Sequence, residues 1–136
     1  MDEKRRKRYM EKRELISKRI DEIGRWSSGF FAEEKDRLAI YKAFQEIAEA
    51  CMDIIAMMLK DSGRVPEDDY GNINKVVKAG LLPNDIKPAL DDLNGLRNRI
   101  VHEYNGLDDR IAFDAIEEIL PGIRSLVAVV EKWTAR

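Results

Sequence analysis

Nine consecutive residues, Leu96-Arg97-Asn98-Arg99-Ile100-Val101-His102-Glu103-Tyr104, hold the one histidine of the chain together with two arginines, an amide and a tyrosine. Histidine exchanges protons near neutral pH, and the planar fork of an arginine grips phosphate oxygens through several donors at once. Tyr104 could stack on a base or donate to a phosphate oxygen, and Asn98 could contact sugar, base or its own backbone. Bland readings exist for each. His102 suits the end of a helix, where the dipole favours a cation, Arg99 could pair with Glu103 four residues on, and Tyr104 could simply pack.

Other chemistry finds little support. There is no glycine-rich phosphate loop, no HExxH and no GxSxG, and with a single histidine and a single cysteine, Cys51, a structural zinc site lacks ligands. The residues imply neither a metal nor a cofactor. Cys51 sits among Met52, Met57 and Met58 and reads as core.

These residues must be positioned by helices. The chain has 136 residues, 44% hydrophobic and 37% charged, enough for one core and too apolar for disorder. Tyr9, Ile16, Ile20 and Ile23 mark a first helix from Asp2 to about Arg25, ended by Trp26-Ser27-Ser28-Gly29. Phe44, Ile47, Ala48, Cys51, Ile55 and Met58 make a long central helix of Glu33 to Lys60. After a loop through Pro66, a short helix from Tyr70 to Lys78 is closed by Gly80. Pro83, Asn84 and Asp85 open the helix that carries the motif to about His102, and Asn105-Gly106 is expected to stop it with positive φ. Asp108 or Asp109 caps a last helix whose stripe is Ile111, Ala115, Ile119, Ile123, Leu126 and Val130, with a kink or break expected near Glu118 from Pro121. The expected architecture is all-α, an antiparallel bundle of about four long helices plus one short helix, as a single domain over residues 1–136.

Charge is uneven along the chain. Residues 1–25 hold ten Lys/Arg against six Asp/Glu, and the remainder fourteen against twenty. The run Lys4 to Arg8 could attract phosphate or an acidic partner, or be no more than a solvated helix start. The longest nearly apolar run, Ala50 to Leu59, is too short to span a bilayer, and one cysteine allows no internal disulfide, so a cytoplasmic protein without membrane association is expected. Asp53, the sole charge in that run, either pairs with Arg97 or His102 or continues a solvent-facing stripe of Lys42, Glu46 and Glu49.

The order and spacing Arg97-x4-His102-x-Tyr104 resembles the signature of the HEPN superfamily, and specifically its HepT-like branch. Gln45, Glu49, Ala50 and Asp53 resemble the branch's polar positions on its second helix, and Val65-Pro66-Glu67 with Ala79-Gly80-Leu81-Leu82-Pro83 resembles its middle section. The resemblance implies a metal-independent endoribonuclease toxin of a toxin-antitoxin pair. Arg97 and His102 would be catalytic, Tyr104 and Asn98 would bind substrate or take modification, and Asp53 and Glu49 would support them. It also implies a homodimer with the motifs lining a shared cleft, and a minimal nucleotidyltransferase antitoxin that adenylylates Tyr104. On an ideal helix of roughly 100° per residue Arg97 and Tyr104 share a face while His102 lies about 140° away. A distorted helix, a wrapping arginine or a second subunit would each bring them together. The alternatives to an enzyme are a non-catalytic nucleotide- or substrate-binding partner of a nucleotidyltransferase and a structural homodimeric bundle.

Overall fold

A computed structural model describes residues 1–135, which form five α-helices and three short 3-10 turns with no strand. Helix α1 spans Glu3–Trp26, α2 Glu34–Asp61, α3 Asp69–Lys78, α4 Lys87–His102 and α5 Asp109–Thr134. The antiparallel bundle expected from the periodicity is the observed one, with α1 packed along α2, α4 along α5, and the short α3 against α2 and α4.

Local chemistry sets the boundaries. Asp2, Asp68 and Asp108 each accept a backbone N–H of the following first turn, from Arg5, Gly71 and Ile111, and so satisfy donors that the helix leaves open. At the other end, α2 and α3 close on glycines with positive φ, Gly63 at 83° and Gly80 at 75°. In both, the glycine N–H and the one after it return to carbonyls of the last turn, Arg64 N to Leu59 O and Leu81 N to Val76 O among them. Gly106 does not play this part. Helix α4 ends at His102 and Glu103 leaves it at φ −130°, so Asn105 and Gly106 fall in a 3-10 turn, Tyr104–Gly106, with negative φ at the non-glycine residues.

One core cluster draws on all five helices, including Tyr9, Phe44, Ile73, Leu93 and Ile123. The expected stripes of α1 and α2 are buried throughout, whereas the stripe of α5 starts at Ala112 and leaves Ile111 57% exposed. Pro121 causes no break, because α5 runs unbroken through it. The proline lies on the exposed side, where water can serve the carbonyl that lost its partner. Its neighbour Gly122 has a structural reason to be glycine: a Cβ there would stand 2.3 Å from the Ala89 Cβ, so the absence of a side chain lets α5 approach α4.

Ion pairs and a hydrogen bond tie α1 to α2. Arg19 Nε binds Glu46 Oε2 at 2.7 Å, Lys12 Nζ binds Asp53 Oδ2 at 2.8 Å, and the buried Tyr9 hydroxyl donates to Asp61 Oδ2 at 2.7 Å. The polar stripe on α2 therefore faces the polar edge of its neighbour, and only part of it faces water. Among the described residues no helix is long and apolar enough to cross a membrane.

Candidate active site

The motif occupies the last turns of α4 and the turn that follows. Leu93, Leu96 and Ile100 are buried and pin α4 to the core, which leaves Arg97 and Asn98 half-buried and His102 exposed beyond them. The Arg97 Nη1 donates to Asn98 Oδ1 at 3.0 Å, so these neighbours form one polar unit. The inner Nε of Arg97 is buried with no hydrogen-bond partner, and among the described residues no carboxylate pairs with its guanidinium. An arginine left without an acidic partner keeps its full charge for an incoming anion.

Tyr104 stands apart from Arg97 in a way ideal helix geometry could not show. Because the helix has ended, its place is set by the 3-10 turn and by an edge-to-face contact with Tyr41 on α2, ring centroids 5.7 Å apart. The Tyr41 hydroxyl donates to Asp109 Oδ1 at 2.5 Å, and the other oxygen of Asp109 lies 3.5 Å from Arg37 Nε. Burial first, and then the bond to Asp109, push the Tyr41 hydroxyl well above the ordinary tyrosine range. Tyr41 thus stays a neutral, fixed support against which Tyr104 remains 40% exposed. Tyr41 and Arg37 were not among the residues singled out by sequence, and Asp109 was singled out as a candidate helix cap alone. Tyr41 is three residues before Phe44 on the core stripe, which is the one sign of it in the sequence.

Within one chain the two supporting residues, Asp53 and Glu49, find partners outside the motif. Asp53 pairs with Lys12 of α1 instead of reaching Arg97 or His102, because its side of α2 is covered by α1 and not by α4. Glu49 accepts from Gln45 Nε2 at 3.0 Å, one turn earlier on its own helix, rather than from the motif. Arg99 does not pair with Glu103 but lines a groove of about 480 Å³ with Asp91, Asp92 and Glu118, whose acidity sets it apart from the motif. Cys51 is fully buried, and burial raises its thiol pKa, which removes it from any nucleophilic part. Among the described residues no group of three or more His, Cys, Asp or Glu is placed to hold a metal ion.

The model of the Ribonuclease HepT-like family matches residues 13–130. The chain belongs to the HepT-like ribonuclease family. It is 32% identical over 130 residues to an Archaeoglobus fulgidus protein named as an RNase by inference, covering 93% of each chain. A second such protein of that organism is 34% identical over 128 residues, 94% of this chain and 92% of its own. In fold, this HepT-like chain is similar to the solved tri-AMPylated Shewanella oneidensis HEPN toxin in complex with MNT antitoxin, at TM-score 0.85 and 20% identity over 97% of this chain and 99% of that one. A toxin-antitoxin structure with AMP-PNP matches at 0.84 and 19%, over 96% and 99%. The family and all-helical fold read from the motif are therefore the ones found.

Proposed function

We propose that this HepT-like chain is a metal-independent endoribonuclease toxin acting in the cytoplasm, with Arg97 and His102 as its catalytic residues. The observation that carries the reading is Arg97, a half-buried guanidinium with no acidic partner, on the same short stretch of α4 as the exposed His102. In this mechanism His102 takes the proton from the ribose 2′-hydroxyl, the oxygen attacks the adjacent phosphorus, and Arg97 holds the added negative charge. The 5′-oxygen leaves with a proton from the other subunit's His102, from Tyr104 or from water. Arginine cannot share that step, since it stays protonated. Products carry 2′,3′-cyclic phosphate or the 3′-phosphate formed by its hydrolysis. The 2′-hydroxyl is the nucleophile, so no metal is needed to activate water.

Arg97 and His102 both lie inside α4 and differ by about 140° around its axis. A homodimer in which the α4 ends meet would bring Arg97 of one subunit to His102 of the other. The solved HEPN toxin of like fold is tri-AMPylated and bound to an MNT antitoxin, which supports a nucleotidyltransferase as partner, and the motif resemblance points to Tyr104 as its target. Tyr104 fits because its ring is exposed at the helix end. An adenylyl group there would add bulk and negative charge at the cleft, repelling RNA phosphate.

The test is cleavage of total RNA by purified protein in EDTA, with end-group analysis, beside His102→Ala. Undiminished cleavage by that variant, or strict need for a divalent ion, would move the non-catalytic binding partner into first place. Mass spectrometry after co-expression with an adjacent nucleotidyltransferase checks Tyr104. An unmodified Tyr104 in a neutralised complex would mean simple occlusion.

A further inference from the structure

The end of the bundle remote from the motif carries the opposite charge to the groove beside Arg99. Two concavities flank the loop after α2 there. One, of about 300 Å³, is lined by Arg8 and Lys12 of α1 and by Lys60 and one acid, Asp53, of α2, and the other, of about 370 Å³, by Arg64, Lys75 and Lys78. Pro66 lines the first and Val65 the second, so the loop after α2 joins them, with Val65 77% exposed at the junction. Lys12 is held by Asp53 and Lys75 by Glu67. Among the described residues no carboxylate pairs with Arg8, Lys60, Arg64 or Lys78. Four cations without a carboxylate partner, from α1, α2, α3 and a loop, thus flank that loop, on a chain whose formal net charge is −2.

Lysine and arginine side chains repel one another when they outnumber the acids beside them, so such a face is favoured when an anion covers it. The choice lies between RNA phosphate and an acidic protein. Neither concavity is lined by an aromatic residue, the type that anchors protein interfaces. The cations are spread over several elements, as a line of phosphates would require. We infer that this face is an anchoring surface for the phosphate backbone of the RNA substrate, separate from the site of cleavage. The inference rests on the reading of the chain as a ribonuclease. About 28 Å of helix α2 lie between Tyr41, which supports Tyr104, and Lys60. The anchor therefore acts on binding and not on the chemical step, and only on RNA long enough to reach both places. Phosphate contacts of this kind carry no base preference.

The experiment uses the full chain with Arg8, Lys60, Arg64 and Lys78 all changed to Gln, with helicity checked by circular dichroism. Anisotropy of a labelled single-stranded RNA is measured over a range of salt. Loss of four phosphate contacts reduces the salt slope of log affinity by about 3, at roughly 0.7 per contact. Affinity falls at least tenfold at low salt, KM for long RNA rises accordingly, and kcat and cleavage of a dinucleotide stay unchanged. Unchanged affinity and slope overturn the anchor while leaving the cleavage mechanism intact. Conversely, cleavage undiminished by His102→Ala removes the mechanism, and the salt slope, read from binding alone, still decides the anchor. Retained RNA binding together with lost binding of polyglutamate would assign the face to an acidic protein and overturn the inference.

Discussion

Under the proposed mechanism Arg97 and His102 do different work, so they should fail differently when altered. If His102 transfers a proton, His102→Ala lowers the cleavage rate by roughly 10²–10⁴-fold. Arg97→Lys keeps the charge but loses the two-pronged geometry, so it retains partial activity while Arg97→Ala does not. Single-turnover cleavage of one defined RNA separates the three variants. A second residue of α4 gives a stability prediction. Asn94 is 1% exposed and its Oδ1 has no hydrogen-bond partner, a state that costs about 1–3 kcal/mol in a buried carbonyl. Asn94→Leu should raise the unfolding free energy by about 1 kcal/mol or more in urea titration. A loss of stability would show that the amide is satisfied in solution.

At the scale of elements, two tyrosines lock helices together through hydroxyls that must stay protonated. Tyr9 ties α1 to Asp61 at the end of α2, and Tyr41 ties α2 to Asp109 at the start of α5. Burial is the main cause that raises both above the ordinary value of 10, with the carboxylate partner next. The native state then binds more protons than the unfolded chain once pH exceeds about 10, so stability is full below that pH and falls as pH rises beyond it. Thermal melts from pH 8 to 11 should show this alkaline decline. Tyr9→Phe should flatten it and lower stability at neutral pH, since the Asp61 carboxylate loses a donor. A melt temperature independent of pH above 10 would refute the locking role.

For the whole molecule, the placement of Arg97 and His102 on different sides of α4 makes assembly the decisive matter. Light scattering should return the mass of a dimer, and a charge placed at Val101, exposed beside His102, should lower both the dimer fraction and the cleavage rate. A monomer with full activity would remove the shared-cleft mechanism. In a mixture of His102→Ala and Arg97→Ala chains, activity should reappear if each subunit supplies one of the two groups. That recovery is absent if both act within one chain.

Much of this was legible from residues alone. Spacings of three and four placed the stripes of α1 and α2 correctly, Gly80 marked the end of α3, Asp108 capped α5, and the Arg97-x4-His102-x-Tyr104 run pointed to the HepT-like family that the comparisons confirm. These are matters of local backbone chemistry and helical period, which neighbours in sequence determine. Sequence reasoning went astray where a residue's partner lies far along the chain. Ile111 is exposed because α5 meets the core one residue later, Tyr104 rests on Tyr41 because α4 stops short of it, and of the two readings left open for Asp53 the exposed stripe is the one found, with Lys12 as its partner. Helical periodicity says which residues share a face but not which helix that face meets. The packing of five helices around one core decides that, and with it which charges are neutralised and which, like Arg97, have no acidic partner.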